Sequence, residues 1–223
     1  MNYAIITVVM FRKTTFQSGL RLVTEKLEGT KAVTVLVLVG AGSRYENRKI
    51  CGISHFLEHM FFKGAEKFKN TKEVSEAIDS VGGEFNAFTG KETTGYYIKS
   101  AADKIEISLD VLSDMLMHSK FDSREIEKEK GVILEEINLY EDTPSRKLGD
   151  IYERLLYGDT PMGWDTAGEK DVIRKIQRGD FLYYMSKLYS AGNITVVIAG
   201  GIDASKTEEL INKYFGEMSR FDT

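Results

Sequence analysis

The chain has 223 residues, 42% hydrophobic and 29% charged, and its 30 basic against 34 acidic residues give a formal net charge of -4. This is the composition of an ordinary soluble globular protein that can bury a sizeable core, and its mild acidity leaves no electrostatic footprint for nucleic acid or an anionic membrane. The single cysteine, Cys51, excludes an intrachain disulfide and fits a reducing compartment; no apolar run approaches the length of a transmembrane helix, so the cytoplasm is the expected location.

Residues 1–10 are apolar but lack a basic leader and a small-residue cleavage site, and they read as an edge strand or tail rather than a signal peptide. Strands are expected over residues 14–16, 21–25 and 32–39, with a turn at Ser18-Gly19. Gly40-Ala41-Gly42-Ser43 breaks the third strand. Without a following Gly-Lys-Ser/Thr it is not a phosphate loop. A helix follows around residues 53–62. Another starts with Thr71 as N-cap, carries Val74, Ile78 and Val81 on one face, and stops at Gly82-Gly83. Residues 84–88 and 93–99 form a hairpin across Thr89-Gly90-Lys91-Glu92. Asp103 with Glu106 and Asp122 with Glu125 resemble capping boxes for helices that run to about Ser119 and Glu141. Pro144 lies just past the second. Helices over residues 147–156 and 180–188 come next, then an apolar strand at 194–199, a Gly200-Gly201 turn and an Asp203-capped helix to about Met218. No repeat and no Pro/Ser-rich linker divides the chain. Residues 1–223 therefore read as one α+β domain, a mixed, largely antiparallel sheet covered by helices.

The chemistry is concentrated in His55-Phe56-Leu57-Glu58-His59. Histidines four residues apart project from one face of a helix, so both imidazoles reach a single metal ion without bending the backbone. Glu58 flanks that face, where a carboxylate can take a proton from a metal-bound water whose pKa zinc lowers to about 7. The order H-x-x-E-H is the inverted zincin motif. Only three histidines occur in the chain and two are here, which argues against chance. The third, His118, stands alone near a helix end and reads as structural.

A catalytic zinc takes three protein ligands and keeps one position open. The carboxylate-rich helix that ends near Glu141 is the expected source of the third. At about 100° per residue, Ile126, Ile133, Ile137 and Tyr140 form an apolar stripe, and Glu129 and Glu136 share a line along its edge. Glu135 points to the solvent side and stands as the alternative ligand. Glu129 is either a carboxylate that orients a histidine N–H from behind or a simple edge charge.

The sequence resembles the pitrilysin-type zinc peptidases, on the processing-peptidase branch that includes the catalytic subunit of mitochondrial processing peptidase. The segments that carry the resemblance are Gly40-Ala41-Gly42-Ser43-Arg44-Tyr45-Glu46, residues 52–64 (GISHFLEHMFFKG), 82–89 (GGEFNAFT) and 132–144 (VILEEINLYEDTP), and it extends over about residues 14–218. It implies a zinc metalloendopeptidase with one Zn2+ per chain, ligands His55, His59 and Glu136, the general base Glu58, and Glu129 behind the ligands. It implies further that an extended peptide or unfolded segment adds as a strand beside Phe85-Asn86-Ala87-Phe88. Members of the family are about twice this length or are built from two homologous halves that close like a clamshell. The second half contributes an arginine and a tyrosine. The resemblance thus covers one half, and the other is expected as a missing C-terminal domain, a partner chain or a second copy in a homodimer. The competing expectation is a non-catalytic zinc-binding or scaffold subunit of such a complex. It leaves the intact pentapeptide, and Glu58 above all, without a task.

Overall fold

The structure, a computed structural model, describes residues 11–218; the apolar segment 1–10 lies outside them. In chain order the elements are β1 (Arg12–Thr15), β2 (Arg21–Lys26), β3 (Ala32–Val39), α1 (Ile53–Phe61), α2 (Thr71–Asp79), β4 (Glu84–Thr89) and β5 (Thr94–Ala101). There follow α3 (Ile105–His118), α4 (Ser123–Glu141), α5 (Pro144–Tyr157), α6 (Lys170–Ile173), α7 (Arg178–Leu188), β6 (Ile194–Gly200) and α8 (Ala204–Phe215). The strands make one sheet in the order β1-β2-β6-β3-β5-β4. Among the described residues only the β2–β6 pair is parallel, so the sheet is mixed and largely antiparallel.

Side chains alternate across a strand, and the sequence uses the alternation to bury one face. Val33, Val35, Val37 and Val39 of β3 are buried while their neighbours are half-buried. The register carries this across the sheet, with Val37 opposite Val196 of β6 and Tyr96 of β5, both also buried. Helix α3 covers β5 and β3, α8 covers β2, and α1 lies against β4, α4 and α7. Strand β4 closes one side of the sheet, and its outer edge is free among the described residues.

Helix α1 is amphipathic in a way that fixes the site. Ile53, Phe56, Leu57, Met60 and Phe61 are buried, with Phe56 edge-on to Phe181 at 4.9 Å and Phe61 edge-on to Tyr96 at 5.2 Å. His55, Glu58 and His59 are left along one half-buried border. The helix enters through Gly52 at φ 92°, where a Cβ would stand 2.7 Å from both Ala167 O and Gly168 Cα, so only glycine fits. Gly52 has no side chain to cap the helix. Glu46 meets the need instead, its buried carboxylate accepting from the N–H groups of Gly52 (2.7 Å) and Ser54 (2.8 Å). The Tyr184 hydroxyl donates to Gly42 O at 3.0 Å, which leaves Ser54 to donate to Tyr184 at 2.7 Å.

Several boundaries differ from expectation for local reasons. Asn70, not Thr71, caps α2: its side chain accepts from Glu73 N at 3.0 Å while the Glu73 carboxylate accepts from Lys69 N at 2.8 Å. Val81 falls beyond the end of α2 at Asp79. A single 3-10 turn, Ala102–Lys104, leads into α3, so Asp103 and Glu106 form no capping box. Asp122 does cap α4, through Arg124 N. Pro144 begins α5 instead of spacing it from α4, because the first helical position needs no N–H. No residue of α5 is buried, and Leu148, Ile151, Tyr152, Leu155 and Leu156 are exposed. The short α6 had no sequence signal.

Glu46 gives this fold a pH dependence. Burial pushes its carboxyl up from 4.5 to about 7, against the opposing effect of hydrogen bonds from Ser54 and Gly52. The folded chain therefore holds a proton that the unfolded chain releases, and stability falls as pH rises through this window. Urea unfolding of wild type and Glu46→Gln should diverge by roughly 3 kcal/mol between pH 4.5 and 8. Parallel profiles would contradict the assignment.

Candidate metal centre

The half-buried border of α1 faces α4. The Nε2 atoms of His55 and His59 stand 3.3 Å apart. Glu136 Oε2 lies 3.5 Å from the first and 3.4 Å from the second. Ligand atoms about 2.0–2.2 Å from a tetrahedral zinc stand about 3.3–3.6 Å from one another. Three donors of the right chemistry thus form a triangle of the right size, and the residues fit a zinc ion. Among the described residues this is the one cluster of its kind.

The electrostatics agree. Burial alone would push the His59 imidazolium down, but hydrogen bonds and charges from Glu129 and Glu136 outweigh it and raise its pKa to about 9. Hydrogen bonds from His55 and His59 hold Glu136 well below the usual carboxylate range, although burial opposes them.

Each of these side chains except His55 also has a polar partner outside the triangle. The buried Glu129 accepts from His59 Nδ1 at 2.9 Å, which turns His59 Nε2 toward the cluster, and pairs with Lys63 at 2.6 Å. Burial raises the Glu129 pKa, but the His59 and Lys63 interactions outweigh it and leave the carboxyl lowered. Thr89, the last residue of β4, donates to Glu58 Oε2. The Tyr140 hydroxyl donates to Glu136 Oε1. The guanidinium of Arg146 lies 3.2 Å from the centre of the Tyr140 ring. His55 Nδ1 is buried with no hydrogen-bond partner among the described residues, so polar contacts reach that ring only at Nε2.

The residues singled out in the sequence are placed as follows. His55, His59 and Glu136 come together with Glu129 behind His59, and Glu58 lies on the same half-buried border of α1, bonded to Thr89. Glu135 is exposed and outside the cluster, and His118 pairs with Asp114 at 3.4 Å in another part of the molecule. Phe85, Asn86, Ala87 and Phe88 lie on the free edge strand β4. The Phe85 ring packs 5.4 Å from Phe62, Phe88 is exposed, and the Ala87 N–H donates to the side chain of its own neighbour Asn86 at 2.8 Å. Lys63, Thr89 and Tyr140 were not anticipated. Lys63 and Tyr140 carried a faint signal, each four positions after a ligand; Thr89 carried none.

Residues 21–169 match the family described as Insulinase (Peptidase family M16), and residues 175–220 match the Peptidase M16 inactive domain. The chain belongs to the insulinase peptidase family. Among its relatives is the uncharacterized zinc protease YmxG of Bacillus subtilis, 39% identical over 93% of this chain and 50% of the relative. The beta subunit of mitochondrial-processing peptidase from Caenorhabditis elegans is 34% identical over 94% of this chain and 45% of the relative. A crystal structure of a protease from Helicobacter pylori superposes with a TM-score of 0.91 at 27% identity, covering 96% of this chain and 52% of that one. The chain thus spans about half the length of the insulinase-family relatives it matches.

The raised His59 pKa makes metal uptake a competition with a proton. Below about pH 9 the apparent zinc affinity should fall about tenfold per pH unit for each proton displaced. In Glu129→Gln the onset should move toward the ordinary histidine value, because one of the two carboxylates that raise it is gone. Chelator competition across pH 6–10 checks both. An unshifted onset would mean that Glu129 does not govern His59.

Proposed function

We propose that this chain is the metal-bearing half of a zinc endopeptidase that hydrolyses peptides or unfolded polypeptide segments. The observation that supports it most directly is the donor triangle of His55, His59 and Glu136 with Glu58 beside it. A zinc ion held there would polarise the scissile carbonyl and lower the pKa of its water to about 7. Glu58 is the group that takes the proton from water during attack and returns it to the leaving amine. Thr89 holds that carboxylate in place, and Glu129 holds His59. The free edge of β4 offers backbone groups to an extended peptide, with Phe85, Asn86, Ala87 and Phe88 as the contact segment. Asn86 must release the Ala87 N–H for a peptide carbonyl to take it.

A second half belongs to this proposal, either as further polypeptide or as a partner chain. Its support is that the relatives matched are about twice the length of the matching region. One observation favours a different reading. Residues 175–220 match a domain described as inactive, which suits a zinc-binding or scaffold subunit. The two readings part at Glu58, which only the first needs.

In the assembled enzyme, Glu58→Gln should keep zinc and lose about 10²–10⁴-fold in turnover of a quenched peptide. His55→Ala, His59→Ala and Glu136→Ala should lose zinc, while Glu135→Ala keeps it. Metal analysis and peptide hydrolysis on the same preparations check this, and full turnover by Glu58→Gln would favour the scaffold reading. The isolated chain should bind zinc yet cleave about 10²–10³-fold more slowly than the assembled enzyme, since the second half is expected to supply oxyanion donors. A pure chain whose rate is unchanged when that half is added would place the whole active site within these residues.

A further inference from the structure

Glu136 does not offer its two oxygens equally. Oε2 faces both histidine nitrogens, at 3.5 and 3.4 Å, whereas Oε1 accepts the hydroxyl of Tyr140 one helical turn away. An O–H donated to a carboxylate is among the stronger hydrogen bonds, and a carboxylate so engaged cannot turn to present both oxygens to an ion. The Tyr140 ring is itself fixed, because the Arg146 guanidinium at the start of α5 covers it at 3.2 Å. Resting on the reading of the triangle as a zinc site, we propose that Tyr140 is a positioning residue, held by Arg146, that keeps Glu136 a single-oxygen ligand. A catalytic zinc needs an open position beside three protein ligands. A carboxylate free to bind through both oxygens would compete for that position, and Tyr140 prevents it.

A packing role for Tyr140 is the rival account, since its ring is half-buried against the core. Metal spectroscopy separates the two. Wild type, Tyr140→Phe and Arg146→Ala are prepared metal-free, titrated with zinc against a chromophoric chelator, and loaded with cobalt(II) for visible absorption. Tyr140→Phe keeps the ring and removes only the hydroxyl. It should bind zinc about 10–100-fold more weakly. Its cobalt(II) bands should weaken as the coordination number rises, with the metal-free melting temperature unchanged. Arg146→Ala should shift both readouts the same way by less, and Arg146→Lys, which keeps a cation over the ring, should recover part of the shift. Wild-type zinc affinity and an unaltered cobalt spectrum in Tyr140→Phe would overturn the proposal. Should Tyr140→Phe not fold, an unaltered spectrum in Arg146→Ala would overturn it equally. A wild-type chain that takes up neither metal would instead overturn the zinc reading itself, and this inference with it.

Discussion

Two unprotonated imidazole nitrogens and a carboxylate oxygen, crowded within 3.3–3.5 Å of one another, repel unless a cation lies among them. That repulsion is what the crossing of α1 and α4 must withstand in the absence of metal. Carboxylates of Glu129 and Glu136 flank His59 on two sides and raise its pKa to about 9, although burial opposes them. The fold also anchors both helices by apolar packing that does not involve the donors. Phe56 and Phe61 pin α1 from beneath, and Ile126, Ile133 and Ile137 pin α4. The polar atoms are therefore carried to their places by burial of the residues between them.

A dication held among the donors would balance the charge at the centre. A divalent ion and Lys63 together bring three positive charges against the carboxylates of Glu58, Glu129 and Glu136. Burying unpaired charge is expensive, and each carboxylate also accepts a hydrogen bond: Glu58 from Thr89, Glu129 from His59 and Glu136 from Tyr140. These donors come from β4, α1 and α4, so the sheet edge and both helices contribute to one electrostatic unit. The arrangement is held in place by contacts within the chain itself.

Much of this was legible in the sequence because it follows from short periods. The four-residue spacing of His55 and His59, and the seven-residue line of Glu129 and Glu136 beside an isoleucine stripe, are helical regularities that tertiary contacts then respect. The strand alternation of residues 32–39 is similar. What could not be read depends on distant partners. Glu46 looks like a loop acid and is the cap of α1, because Gly52 can approach Gly168 only without a side chain of its own. Thr89 reads as a turn residue and ends up on Glu58. Pro144 reads as a stop signal and is a start, since proline suits either side of a helix break. Nothing in its apolar run set β6 apart as the strand that inserts between β2 and β3.

That insertion has a temporal side. The strand that joins β1–β2 to β3–β5–β4 is the last of the six to emerge from the ribosome, and each of its pairings reaches back to the early part of the chain. Without it β2 and β3 would each present an unpaired hydrophobic edge, the situation most inviting to mispairing. Sheets closed by such distant pairings nucleate slowly.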